Sequence, residues 1–280
     1  MRIEFYPNNI YNVSFSSRKS EIRKADDIQR KTRVAFPFFS PSYADAYYGS
    51  CAPVYHGESA KKCVEHWDNT YRLDRKANKI AIIRENRSEE LCGRRSFENL
   101  VRETIKDVKK YGLGNCEEAA TMVMASIIAN GYPNTIKCSL KLDTSVIEKE
   151  TGEVKYNSRD SLDHALVMST MDKNPLNQKT FYIIDPWHGF ADSVSGAKAR
   201  YAQLVDKNKF TKAKQKAINN FSNIYKSKYK SFDINNFEIR QKICFDVKEC
   251  ATERDDKNIK KLFEESYPDL ILEGGKSSCE

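Results

Sequence analysis

The sequence predicts an α+β fold in which one buried helix packs on a small antiparallel sheet. The first observation is a helical segment at 116–130 whose body, AATMVMASIIA, is apolar almost all round. A helix with that pattern buries most of its surface. The second observation is a series of strand-length segments after it, separated by short polar turns. A helix followed by such strands is typical of an α+β layout.

Two helices are predicted in the middle of the chain. From Ser96 onward, apolar residues recur at helical spacing as far as position 111. Ser96 is a suitable N-cap, and Gly112 and Gly114 end the helix. The buried helix then begins at Cys116, and Gly131 follows its end.

The strands come next, and punctuation residues separate them. Strands are predicted at 135–141, 163–170 and 180–185, and again at 237–247. The segment 148–157, EKETGEVKYN, predicts a charged hairpin, and the segment 171–179 predicts a polar turn between two strands.

The remaining segments complete a three-part organisation. Residues 1–90 form an N-terminal segment of unclear fold packing on the core, 91–192 the core, and 193–280 a basic, mostly helical extension. Further expectations are short strands and loops at 1–40, a short helix at 59–67, a strand at 79–84, and helices at 196–230 and 257–266.

Composition excludes several classes of protein. The chain has 280 residues, 11% of them aromatic, which is too many for a disordered chain despite a mean hydropathy of −0.69. No apolar window reaches the length of a transmembrane helix. The first residues lack the pattern of a secretory signal, so we expect a cytoplasmic protein whose eight cysteines are reduced.

The net charge of +8 is concentrated in one segment. Residues 196–230 contain ten basic residues and one acidic residue, a local charge of +9. Such a segment suits an acidic partner. A solvated lysine face of a helix is the favoured interpretation of this segment, and the scarcity of arginine makes a nucleic acid an unfavoured partner.

Cys116 is the candidate nucleophile. It follows Gly-Leu-Gly-Asn at the predicted start of the buried helix. Helix N-termini carry unpaired N–H groups and partial positive charge, an environment that favours a thiolate and can stabilise an oxyanion. The neighbouring Asn115 is a further candidate donor to the oxyanion, whereas Glu117 and Glu118 partly oppose the thiolate.

His164 and Asp185 are the candidate base and its orienting carboxylate. His164 lies near the start of the strand DHALVMST, and Asp185 ends the next strand, FYIIDPW, where Pro186 stops strand pairing. In two antiparallel strands the start of one lies beside the end of the other, so these side chains can meet. Asp163 is a poorer orienting group because adjacent strand residues face opposite sides.

Three alternatives stay open. His188 could replace His164 as the base, and Trp187 could either shield the Asp–His pair from water or pack in the core. A second group of metal-ligand types lacks a standard zinc-finger spacing, and we expect no metal or other cofactor; its members are Cys51, His56, Cys63 and His66.

The motifs GNCEEAA, DHALV and IIDPWHG resemble those of the papain-like and transglutaminase-like Cys-His-Asp superfamily, over about residues 96–190. They are most similar to its bacterial toxin and effector branch of glutamine deamidases and cysteine proteases. The resemblance implies a papain-like core with Cys116 as nucleophile, His164 as base and Asp185 as orienting group. Lys110 stands where papain proteases carry their oxyanion glutamine, a departure from a standard peptidase.

The resemblance implies a cysteine hydrolase acting on amide bonds of a protein substrate through a thioester. Glutamine deamidation or transglutamination is the favoured reaction, and peptide hydrolysis is the alternative. Such a protein could act after export into a host cell. A different class is a catalytically idle scaffold that binds an acidic partner through residues 196–230.

Overall fold

A computed structural model describes residues 15–38, 73–90, 96–172, 180–226, 233–247 and 254–272. Within these ranges the chain forms helices and one five-stranded antiparallel sheet, which confirms the predicted α+β class. The predicted helix at 59–67 and the Cys51–His66 group of metal-ligand types lie outside the described residues. Among the described helices, none combines the length and apolar character needed to span a bilayer.

The described helices are α1 Phe15–Ala35, α2 Leu73–Glu90, α3 Phe97–Tyr111, α4 Cys116–Ala129, α5 Val194–Leu204, α6 Lys207–Lys226 and α7 Asp256–Ser266. The described strands are β1 Asn134–Glu148, β2 Val154–Thr170, β3 Tyr182–Asp185, β4 Phe190–Ser193 and β5 Phe237–Val247. Short 3-10 turns occupy Ile234–Asn236 and Pro268–Leu270.

The sheet has the strand order β4-β3-β2-β1-β5. Strands β2 and β3 are antiparallel, with Val167 opposite Ile184, and β3 pairs in the same sense with β4. The hairpin predicted at 148–157 is confirmed, because the Glu148 N–H donates to the Glu153 carbonyl at 2.9 Å. Gly152 in this turn has a φ of +70°, a conformation that favours glycine.

Local capping explains where α3 and α4 begin and end. The Ser96 side chain accepts a hydrogen bond from the Asn99 N–H at 3.2 Å, and Gly112 ends α3 in the left-handed conformation. Both capping residues are apparent in the sequence, and both predicted helices are confirmed. The body of α4 is buried on all sides, as its uniformly apolar composition predicts.

The chain divides into two compact units, and β1 and β2 each contribute residues to both. The first unit draws on the described parts of Met1–Lys137, Ala165–Val194 and Glu249–Glu280. In it, α4 packs against α1, α3 and α7. The α4 side chains share one apolar core with residues of β2 and β3, namely Ala165, Val167, Tyr182 and Ile184.

The second unit draws on the described parts of Cys138–His164 and Ser195–Lys248. In it, β5 pairs with β1, with Leu142 opposite Ile243, and α6 packs against β5. Its apolar cluster is centred on Val146, Phe221 and Phe237. The predicted strand at 237–247 is confirmed.

Two predictions near the N-terminus are wrong. Residues 15–35 form the long helix α1 instead of short strands and loops, and 79–84 lie inside α2 instead of forming a strand. In α1 the buried positions include polar Gln29 and Thr32, which weaken the apolar pattern. In α2, Ile80 and Ile83 are buried three residues apart, which is helical spacing, but a run this short does not distinguish a helix from a strand.

Candidate active site

Cys116 is the first residue of α4, and its thiol is free and half-buried against the apolar core. Asn115, the residue before it, is extended with φ −133° and ψ −171°. The structure therefore places the cysteine where the sequence predicts it, at the N-terminus of the buried helix. Backbone N–H groups of a first helical turn have no carbonyl partner within the helix and favour negative charge nearby.

The turn before Cys116 is closely covered by an aromatic ring. A Cβ atom built on Gly114 would lie 2.8 Å from Cδ2 of Phe38. Phe38 is itself buried in the core of this unit. Glycine is therefore required at 114 by close approach, and the N-terminal part of the chain supports the cysteine-bearing turn.

Glu118 is held by two arginines of α2. Arg84 donates from Nε to Oε1 at 2.9 Å and from Nη2 to Oε2 at 2.7 Å, and Arg87 Nη1 lies 3.4 Å from Oε1. Burial disfavours the charged carboxylate, but Arg84, Arg87 and the Asn115 N–H outweigh it and lower the pKa of Glu118. The anion is thus balanced by cations that sequence reasoning did not identify.

Arg87 ties the same network to α3. Its Nε donates to Oδ2 of Asp107 at 2.8 Å, and its Nη1 donates to Oγ1 of Thr104 at 3.2 Å. The first acid of α4, Glu117, is paired with Lys137 at 2.5 Å. Glu117 and Glu118, the two acids expected to disfavour a thiolate at Cys116, therefore each have a cationic partner.

Asp185 has no exposed surface and is fixed at both oxygens. Its Oδ1 accepts the backbone N–H groups of Trp187 at 2.9 Å and His188 at 3.1 Å. Its Oδ2 lies 2.6 Å from His188 Nδ1. A buried carboxylate is stable only when it is hydrogen-bonded in this manner, and here it orients an imidazole.

His188 is thus a histidine that Asp185 holds, and its side chain is 26% exposed. It lies in the turn after β3, which closes through Gly189, whose φ is +73°. The Gly189 N–H donates to the Asp185 carbonyl at 2.8 Å. A Cβ at Gly189 would lie 2.5 Å from Nη1 of Arg33, so α1 packs on this turn as well.

His164, the predicted base, is half-buried on β2, with its ring centroid 6.0 Å from that of Tyr201 in an edge-to-face arrangement. The residue before it, Asp163, has a φ of +53°, which is uncommon for a residue other than glycine. Its N–H donates to Ser161 Oγ at 3.2 Å. The positive φ of Asp163 departs from extended strand geometry. The prediction that Asp163 and His164 face opposite sides assumed a regular strand at this point.

The other predicted residues have structural partners. Trp187 is buried in the apolar core of its unit, which supports the packing alternative. Its backbone N–H also donates to Oδ1 of Asp185. The backbone N–H of Asn115 donates to Oε2 of Glu118 at 2.9 Å. Lys110 is exposed, with Nζ 4.9 Å from the Tyr111 ring centroid.

A second cysteine of the described chain is unsuited to nucleophilic chemistry. Burial and the neighbouring Asp143 carboxylate raise the pKa of the Cys244 thiol to about 12, although Arg159 partly opposes the shift. A thiol with that pKa is almost wholly protonated at neutral pH, so it supplies little of the reactive thiolate.

We compared the chain with protein families, curated proteins and solved structures, and none of the three comparisons gave a match.

Proposed function

We propose that this protein is a cysteine-dependent hydrolase that acts on an amide carbonyl of a protein substrate. The observation that carries the proposal is the buried Asp185 carboxylate holding the partly exposed His188 imidazole. This is the base-and-orienter arrangement that activates a nucleophile. A free cysteine at the N-terminus of a buried helix supplies a suitable nucleophile.

In the proposed reaction the imidazole accepts the Cys116 thiol proton, and the thiolate attacks the carbonyl carbon. The tetrahedral intermediate collapses when the C–N bond breaks, and the amine leaves with that proton. A thioester remains on Cys116, and water hydrolyses it to a carboxylate. His164 and His188 are the two candidate bases, and Asp185 is the orienting group.

The favoured amide is the side chain of a glutamine. The support is the resemblance to bacterial deamidase and transglutaminase effectors. In addition, Lys110 occupies the position where papain proteases carry their oxyanion glutamine. An amine in place of water gives transglutamination, and a backbone amide gives peptide hydrolysis. On this proposal the substrate is met inside a host cell after export.

A second proposed function is that of a binding module for an acidic partner. The observation favouring it is the exposed basic surface of α6, formed by Lys207, Lys209, Lys212, Lys214 and Lys216. Among these, Lys216 is engaged by Asp160 at 2.5 Å. Binding through this surface would weaken with salt and would survive loss of Cys116.

The test is the intact mass of glutamine-containing proteins after incubation with wild type and with Cys116→Ala. Deamidation adds about one dalton per site, peptide hydrolysis releases fragments, and transglutamination adds the mass of the amine less ammonia. Each change must be absent with Cys116→Ala. No change with wild type, combined with salt-sensitive binding by both proteins, would replace the hydrolase with the binding module.

A further inference from the structure

An ion pair joins Arg84 of α2 to Glu118 in the first turn of α4. Two parallel hydrogen bonds of 2.9 and 2.7 Å join the guanidinium to the carboxylate. Glu118 is only 2% exposed, whereas Arg84 is 39% exposed. A two-point pair of this kind fixes the direction of both side chains and is stronger than a single contact.

Glu118 is connected directly to the residue that precedes the nucleophile. Its Oε2 accepts the Asn115 N–H at 2.9 Å, an interaction typical of a capping box. Through Glu118, Arg84 therefore fixes the backbone at Asn115 and with it the start of the helix at Cys116. A change at Arg84 would reach the cysteine through two named hydrogen bonds.

The charges around this turn also indicate a role for Arg84. The hydrogen bond to Glu118 raises the pKa of Arg84 most, burial opposes the shift, and the charges of Glu118, Glu117 and Cys116 add to it. The Arg84 guanidinium therefore stays charged and compensates the buried Glu118 carboxylate. Without Arg84, the buried Glu118 carboxylate two residues from Cys116 would keep the weaker contact with Arg87 at 3.4 Å, and like charges disfavour each other's ionised forms.

We propose that Arg84 is a positioning residue that acts through Glu118 to hold the N-terminus of α4 and to favour the Cys116 thiolate. Its role in catalysis rests on the proposed hydrolase function. Its effect on the ionisation of Cys116 does not, because that can be measured on a protein without a known substrate.

The experiment measures the pH dependence of iodoacetamide alkylation at Cys116, read on the Cys116 peptide by mass spectrometry. Arg84→Gln leaves Glu118 without its main cation, so the midpoint should move up by about half a pH unit or more. Glu118→Gln keeps an acceptor for the Asn115 N–H and leaves Arg84 uncompensated, so the midpoint should move down. The double variant should return towards the wild-type midpoint.

The matched control is Arg102→Gln, which removes an arginine paired with Glu98 on the exposed face of α3. It should leave the alkylation midpoint unchanged. A merely structural role for Arg84 predicts loss of stability without opposite shifts in the two single variants.

Unchanged midpoints in folded Arg84→Gln and Glu118→Gln, or shifts in the same direction, would overturn the proposal. If Arg84→Gln does not fold, Glu118→Gln decides the question alone, since its midpoint must then fall. If the opposite shifts are found but no substrate is ever turned over, the positioning role stands and the hydrolase function fails.

Discussion

Nδ1 of His188 lies 2.6 Å from Oδ2 of Asp185, a carboxylate that is wholly buried. The other carboxylate oxygen accepts two backbone N–H groups of the same turn. The carboxylate therefore cannot rotate without losing these bonds. A neutral imidazole in this position carries its proton on Nδ1 and presents a lone pair at Nε2, which is the form a general base requires.

Asp185→Asn should reverse that tautomer. The amide oxygen can still accept the two backbone N–H groups, which leaves the NH₂ group facing His188 Nδ1 as a donor. His188 should then carry its proton on Nε2, and in a catalytic pair this costs about 10⁴-fold in rate. Long-range ¹H–¹⁵N spectra of the His188 ring read the tautomer directly; an unchanged Nδ1–H form would show that Asp185 does not set it.

His188→Gln and His164→Gln should separate the two candidate bases. Replacing the base should lower labelling of Cys116 by an electrophilic amide probe by about 10²-fold or more, because the thiol then lacks its proton acceptor. Replacing the other histidine should change labelling by less than about threefold. The labelled fraction is read by intact mass, and equal rates in wild type and both variants would remove histidine from the mechanism.

Acid should destabilise the protein partly through Glu118. The pKa of Glu118 in the folded protein is lowered from 4.5, so its contribution to stability is full above that value and is lost as pH falls through the folded value. Glu118→Gln should therefore flatten the dependence of the free energy of unfolding on pH below about 5. Urea unfolding at several pH values measures it.

The matched control for that experiment is Glu265→Gln. Glu265 is an exposed residue of α7, and its Oε1 lies 3.8 Å from Nζ of Lys261. This variant should retain the wild-type slope. A slope in Glu118→Gln as steep as in wild type would show that the buried ion pair does not contribute to acid unfolding.

Gly114→Ala should destabilise the turn that presents Cys116. The added methyl group would lie 2.8 Å from the Phe38 ring, and overpacking of this kind costs about 1–3 kcal/mol. Phe38→Leu in the same chain should recover part of the loss, so the two changes should be non-additive in a double-mutant cycle measured by thermal unfolding. Strict additivity would show that Phe38 and Gly114 do not interact.

The sequence predicted best where the signal is local. Ser96, Gly112 and the uniformly apolar body of α4 define two helices without reference to distant residues. The sequence does not predict α1, because the buried side of this helix includes the polar residues Gln29 and Thr32. The sequence predicts a strand around Ile80, which lies in α2. In this helix Ile82 is exposed, and Arg84 and Arg87 pair with Glu118 of α4.

The candidate site divides in the same manner. Cys116 at a helix start and Asp185 at a strand end follow from the local sequence. The spacing of three residues across a turn is compatible with the pairing of Asp185 and His188, but the strand pattern favours His164 as the base. Arg84, Phe38 and Arg33 are far from Cys116 and Asp185 in sequence, and no local pattern indicates where they pack.

The proposed function requires Cys116 to form a thioester with an amide substrate. The most direct measurement is the intact mass of the protein after acid quenching of a reaction with a glutamine-containing peptide. We predict an adduct of the peptide mass less ammonia, located on the Cys116 peptide, removed by hydroxylamine and absent from Cys116→Ala. An adduct that persists in Cys116→Ala, or modification of the peptide with no dependence on Cys116, would contradict the account.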